Sequence, residues 1–251
     1  MATSIRRPHR CDEVVVVAQV LSDLPENVLM RSPLRRAQRH SRNPMPPMLA
    51  AVVILDVKVT DAELAELDAT WERQHGDRLP LGYALGRCSG ETWVRFHSLP
   101  DSKRYADTED EYAEILHRHY TVLRELGSHT VIWVITANWT DGPDPDSGNP
   151  QRERAHPLAR HWRTIREPDD DDACFWQLYT SLESAAPEQL DVLLRAVADE
   201  QLVNVILADR ELRWLYHPYD GGADIYARDT AQRDWLRGEH PEWLSKHPSG
   251  F

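Results

Sequence analysis

The stretch Glu211 to Ala227, E-L-R-W-L-Y-H-P-Y-D-G-G-A-D-I-Y-A, decides how the rest of the chain is read. It sets an aromatic-rich run and a second short strand-like run on either side of Asp220-Gly221-Gly222. Both central residues of a type I′ turn need positive φ, so an Asp-Gly pair between such runs predicts a β-hairpin with a two-residue loop. With Asp220-Gly221 as the loop, Pro218 faces Ala223, His217 faces Asp224, Tyr216 faces Ile225 and Trp214 faces Ala227. Tyr216 and Ile225 then share one face, and His217 and Asp224 share the other. Moving the loop to Gly221-Gly222 would put His217 opposite Tyr226. A one-residue slip exchanges the two faces, so the His217 and Asp224 pairing is conditional on the turn.

Just upstream, Leu202 to Ala208 and Leu212 to Tyr219 read as strands joined by Asp209-Arg210-Glu211, and the hairpin completes a C-terminal three-strand meander. Pro187 suits the opening of a helix carrying Leu190, Leu193, Leu194 and Val197. Ala173 to Ser181 alternates as a half-buried strand, and Thr130 to Ala137 is the most hydrophobic strand in the chain. Before it, Thr108 to Leu126 reads as a helix with Glu109, Asp110 and Glu111 at its positive end. Tyr112, Ile115, His119, Val122 and Leu126 form its apolar stripe, and Gly127 stops it. Glu91 to Ser98 reads as a strand with Trp93, Arg95 and His97 on one face. Leu49 to Val59 is a buried-type strand. Thr60 then caps a helix with Asp61 and Glu63 in its first turn, Leu64, Leu67 and Trp71 at helical spacing, and His75-Gly76 at its end. Residues 77 to 90 read as a turn-rich connection through Pro80 and Gly82.

Two segments depart from this rhythm. Asn138 to Asp172 has no clear period and reads as a long acidic loop, a flap over the body. Its Asp144 and Asp146 lack the ligand spacing of a calcium loop, and Pro143 and Pro145 intrude. Residues 1–47 are Arg-rich and Pro-containing, which predicts a disordered basic tail ahead of a single domain over 48–251. The fold class expected is α+β: a mainly antiparallel sheet with helices packed on one face.

The formal net charge of the 251 residues is −12. Met1 to Pro44 contributes eight Arg against four acids, so the remainder carries −16. Such a surface repels nucleic acid and favours a basic protein, a cation or a small ligand. The three cysteines follow no zinc or redox spacing and their odd number argues against a disulfide framework. No run reaches the roughly 18 apolar residues of a membrane span. The expectation is a cytoplasmic protein with no membrane or nucleic-acid partner and no cofactor.

The sharpest chemical pattern is His217 with Asp224, with Asp220 and His97 as neighbours. A carboxylate beside an imidazole fixes its tautomer and raises its basicity, which suits a general base. The plain alternative is a solvent-facing pair, with Asp220 present for the turn. A second cluster comprises Arg95, Ser98, Ser102, Lys103, Arg104 and Tyr105; only if it adjoins the hairpin tip, with Tyr219 and Asp220, do the two form one polar site, and the sequence does not place them together. Arg, Lys and hydroxyls at a strand end suit a phosphate or carboxylate, although a well-bonded loop would look the same. His117 and His119 point about 200° apart on their helix and cannot chelate one ion. No dinucleotide, phosphate-loop, nucleophile-elbow or zinc-protease motif occurs.

The segments V-R-F-H-S-L-P-D-S-K-R-Y at 94–105 and W-L-Y-H-P-Y-D-G-G-A-D at 214–224 resemble motifs of a bacterial domain family of unknown function, associated with Rhs-element Vgr proteins. The likeness spans roughly 48–251. It implies a bacterial source and a toxin-neighbourhood or interaction role, and brings no activity to any residue. Two functions are carried forward. The first is a non-enzymatic binding protein of the immunity type that recognises a basic partner. The alternative is a small hydrolase or transferase with His217 as base, Asp224 as its orienter, and Arg95, Lys103 or Arg104 for an anionic substrate.

Overall fold

The computed structural model describes residues 58–86, 90–127, 131–145, 148–166 and 174–245. The basic segment 1–47, and all but the last two residues of the strand expected at 49–59, lie outside them. The first helix, α1 (Asp61–His75), opens on a capping box: Glu63 N donates to the Thr60 hydroxyl and Thr60 N donates to the Glu63 carboxylate at 2.8 Å. Gly76, at φ 61°, ends it. A five-residue helix, α2 (Gly82–Gly86), and β1 (Trp93–His97) follow. Helix α3 (Glu109–Glu125) is capped by Thr108, and its three leading acids sit at the positive end of the dipole. The remaining elements are β2 (Val131–Thr140), α4 (Pro150–Ala155), β3 (Arg160–Arg166), β4 (Phe175–Ser184), α5 (Asp191–Ala198), β5 (Ile206–Ala208), β6 (Leu215–Tyr219), β7 (Gly222–Tyr226) and α6 (Thr230–Glu239).

The seven strands form one antiparallel sheet in the order β1-β7-β6-β5-β2-β4-β3. This is the α+β architecture expected, with β5, β6 and β7 as the C-terminal meander. One sheet face presents Val94, Val134, Leu207, Tyr216 and Ile225, and packs against Val122 and Leu123 of α3, Leu193, Leu194 and Val197 of α5, and Leu236 of α6. The opposite face presents Trp133, Ile135, Ile206, Leu215 and Tyr226. Expected to be without a helical layer, it is in fact covered in part by Leu67 and Trp71 of α1 and Leu85 of α2. Burial from both sides explains why all three residues of β5 are apolar and inaccessible rather than alternating.

The hairpin closes in the Asp220-Gly221 register: Tyr219 faces Gly222, Pro218 faces Ala223, His217 faces Asp224 and Tyr216 faces Ile225. The turn type differs from expectation, because neither Asp220 nor Gly221 adopts positive φ. The loop is instead held from outside by β1 and the segment after it. Ser98 N donates to the Gly221 carbonyl at 3.0 Å, and Arg104 pairs with Asp220. Gly222 answers a different demand, since a Cβ there would lie 2.1 Å from the Phe96 carbonyl oxygen of the paired strand.

The stretch 138–172 is not a structureless loop in its described part. Strand β2 runs on to Thr140, Asn149 caps α4, and β3 pairs with β4 as an edge strand. The Gln177 side chain of β4 donates toward the carbonyls of Gly142, Pro143 and Asp144 at 3.2–3.3 Å, tying the acidic turn to the sheet. An Arg-rich edge strand, R-H-W-R-T-I-R, carries no clean apolar alternation, so its pairing with β4 is invisible to a local pattern.

Candidate functional site

Three adjacent strands set one polar row on the sheet face that α2 covers. Arg95 of β1 lies opposite Asp224 of β7, and Asp224 lies opposite His217 of β6. Asp224 is buried and accepts Arg95 Nε at 2.7 Å, Arg95 Nη2 at 2.8 Å and Trp93 Nε1 at 3.0 Å. The two-pronged guanidinium contact fixes both partners. The rings of Trp93 and Tyr219 lie 5.5 and 5.2 Å from the guanidinium carbon, a distance at which the charge is attracted to the ring faces.

His217 is held differently. Its Nδ1 lies 2.7 Å from the Val205 carbonyl oxygen. A carbonyl only accepts, so Nδ1 carries the proton and Nε2 is the lone-pair nitrogen of the neutral ring. Burial lowers the imidazole pKa against the opposing influence of Val205 and the Asp224 charge, and Arg95 lowers it further. The ring packs directly on Gly82, where a Cβ would meet it at 2.1–2.4 Å. Helix α2 is seated there by Tyr83 N, which donates to Asn204 Oδ1 at 3.2 Å, and Asn204 adopts φ 56°. A cavity of about 350 Å³ remains between α2 and the sheet, lined by Gly82, Tyr83, Gly86, Arg95, His217, Tyr219 and Asp224.

His217 and Asp224 therefore stand cross-strand, but the carboxylate's hydrogen bonds go to Arg95 and Trp93. The group that orients the imidazole is the Val205 carbonyl, not Asp224. Arg95 joins this row and is committed to Asp224. His97 lies opposite Gly222, two residues along β1 from Arg95, and does not line the cavity. Its Nε2 is buried without a hydrogen-bond partner, and burial lowers its pKa. The 98–105 loop does adjoin the hairpin, yet its cations are engaged by acids. Lys103 pairs with Asp107 at 2.8 Å and Glu111 at 2.5 Å, and Arg104 pairs with Asp220 and with Glu200 at 2.9 Å. Ser98 is buried, Ser102 and Tyr105 are exposed, and Arg104 lies over the Tyr105 ring. Ser102, Lys103, Arg104 and Tyr105 form a second cluster at the surface, apart from the cavity that His217 lines.

Gly82, Tyr83, Gly86, Asn204 and the Val205 carbonyl were not foreseen. The local signal for the first three is the four-residue spacing of Gly82 and Gly86, which places two small residues on one helical face. A further polar cluster lies inside the opposite layer, where His156 joins Thr136 Oγ1 at 2.9 Å and Ser181 Oγ at 2.6 Å. The Ser181 hydroxyl donates to Glu183 and is buried, so this is a core network, not a nucleophile facing solvent. Among the described residues no group of His, Cys, Asp and Glu side chains could hold a metal ion, and no helix is long and apolar enough to cross a membrane.

An antiparallel α+β domain with a small polar cavity between a short helix and the C-terminal meander is thus the class of protein defined. The chain belongs to the family described as "Domain of unknown function (DUF3885)", whose model matches residues 81–248. That span begins at α2 and takes in every residue lining the cavity. No curated protein and no solved structure matches the chain.

Proposed function

We propose that the chain is a small-substrate hydrolase or transferase in which His217 is the general base. The observation that carries this reading is the imidazole itself, with Nδ1 held by the Val205 carbonyl and the ring lining a cavity of about 350 Å³. Because its pKa is lowered, the ring is a neutral base at neutral pH. It takes a proton at Nε2 from a hydroxyl or water as that oxygen attacks, and returns it to the leaving group. Asp224 stabilises the transient imidazolium through its charge, and the two-pronged contact with Arg95 holds Asp224 in position. With Arg95, Lys103 and Arg104 already paired, a substrate uncharged at its reacting end suits this cavity better than an anion.

A panel of chromogenic esters, phosphoesters and glycosides tests the reading, with His217→Asn as the diagnostic variant. Asn retains a donor near Nδ1 for Val205 and removes Nε2. Turnover of at least one class, falling by about 100-fold or more in the variant, is expected for loss of a general base. Turnover of none, or turnover indifferent to His217→Asn, sinks the proposal. The charge of −12 supports a second reading, immunity-type recognition of a basic protein in an Rhs/Vgr-like setting. A pull-down from the native host at low and high salt that recovers no stoichiometric basic partner would remove it.

A further inference from the structure

A second cavity, of about 500 Å³, opens on the same sheet face and has no part in the His217 chemistry. Its deep wall is apolar: Leu85 of α2, Leu212, and Leu215 and Tyr226 of β6 and β7, all buried. Its outer wall carries three exposed guanidinium side chains, Arg78, Arg213 and Arg228. Arg213 is paired with Asp209 at 2.7 Å and Glu211 at 3.2 Å, and Arg228 with Asp229 at 3.4 Å. Arg78 makes no ion pair among the described residues. In a chain of net charge −12, a cavity lined among the described residues by three arginines and one acid, Asp229, is locally cation-weighted.

The backbone beside the cavity supplies a second observation. Leu212 is a buried leucine at φ 53°, a left-handed conformation that a bulky side chain rarely takes. It is held there on both sides, its amide donating to the Asp209 carbonyl at 3.0 Å and its own carbonyl lying 3.2 Å from His75 Nε2. Strain of this kind concentrates where a ligand wall must be shaped. A carbonyl only accepts, so His75 Nε2 carries the proton in this contact.

We propose that this cavity binds a small amphipathic anion, an apolar body ending in a carboxylate or phosphate. The apolar body lies against Leu85, Leu212, Leu215 and Tyr226, and the head group meets Arg78 and Arg228 at the mouth. The size suits it, since pockets of about 300–1,000 Å³ hold compact organic ligands. Recognition of an anion therefore centres on Arg78, which makes no ion pair among the described residues, with Arg228 beside it, and sits away from Arg95, Lys103 and Arg104.

Isothermal titration of the full chain with octanoate, octyl phosphate and 1-octanol is the test. One or both anions should bind one-to-one and at least about tenfold tighter than the alcohol, since a charge-assisted hydrogen bond is worth a factor of ten or more. The stronger anion names the head group. Arg78→Gln with Arg228→Gln should weaken anion binding about tenfold or more by the same contacts, and His217→Asn should leave it unchanged. Both arginines are exposed, and the single Arg78→Gln variant removes no ion pair, so loss of fold does not confound the result; thermal melts check this. Equal binding of alcohol and anions, absence of saturable binding by either anion, or full affinity in the double variant overturns the proposal. The His217 reading is judged by turnover and stands or falls separately.

Discussion

Mild acid should destabilise this domain. His119 is fully buried with Nδ1 2.6 Å from the Tyr216 hydroxyl, and burial lowers its pKa from 6.5 to about 4. His156 is buried between Thr136 and Ser181, and burial with the nearby Arg152 charge lowers it from 6.5 to about 3. In both cases the folded pKa lies below the unfolded one. The unfolded state therefore binds more protons, and stability present above pH 6.5 is lost as pH falls toward the folded values. At about pH 5 each histidine is still neutral when folded and almost fully protonated when unfolded. At about 1.4 kcal/mol per pH unit that removes about 2 kcal/mol per histidine, about 4 in all, a large part of a typical 5–15 kcal/mol. His217 is lowered too and adds in the same direction. Glu183, raised by burial, opposes it by taking up a proton earlier when folded. Urea unfolding between pH 7.5 and 5 should show stability falling by roughly 2–3 kcal/mol per pH unit near the lower end. His119→Gln should lower the wild-type stability but reduce that slope by about 1.4 kcal/mol per unit, one proton's share. A stability that is flat or rising toward pH 5, or a slope unchanged by His119→Gln and His156→Gln alike, refutes the reasoning.

Other perturbations follow from single contacts. Gly82→Ala sets a Cβ 2.1 Å from the His217 ring, so either α2 or the imidazole must move; a changed His217 ring signal by NMR and a loss of about 1–3 kcal/mol are expected, and an unshifted ring would contradict the packing. Asp224→Asn leaves the partly exposed Arg95 guanidinium without its carboxylate; allowing for that exposure, the loss should be about 2–3 kcal/mol in chemical denaturation, less than the 3–5 for a fully buried pair. Replacing both, Arg95→Met with Asp224→Leu, should cost less than Asp224→Asn alone. Gly222→Ala collides with the Phe96 carbonyl at 2.1 Å, a backbone atom that no rotamer change relieves; faster amide exchange in β1 and a loss of about 2–4 kcal/mol should follow, and unchanged protection of β1 would count against the close approach.

The hairpin's register was legible because it depends on local chemistry, an Asp-Gly pair flanked by strand-forming residues, and the one-residue alternatives make opposite predictions for His217. The helices α1 and α3 were legible for the same reason, each cap and stop glycine lying in sequence directly beside the helix end it marks. Turn type was not. The loop conformation is set by Ser98 and Arg104, more than a hundred residues upstream, and the glycine at 222 answers the approach of Phe96 rather than the turn. Strand β3 escaped because an edge strand needs no apolar alternation.

The site shows the same division more sharply. Sequence placed Arg95 on one strand face with Trp93, and His217 opposite Asp224, but each pairing within the row depends on which strand lies next to which. Once β1 adds to the outer edge of β7, Asp224 has a guanidinium and an indole within reach, and their N–H groups take its hydrogen bonds. The imidazole, left without that carboxylate's hydrogen bonds, is fixed by a backbone carbonyl, a partner that no side-chain motif can announce. The short α2 completes the arrangement: only because residue 82 lacks a Cβ can the helix lie on the ring, and only because the ring is covered does burial keep it neutral. Gly82 and the Val205 carbonyl thus carry as much of His217's chemistry as Asp224 does, the first by setting its basicity and the second by choosing which nitrogen holds the lone pair.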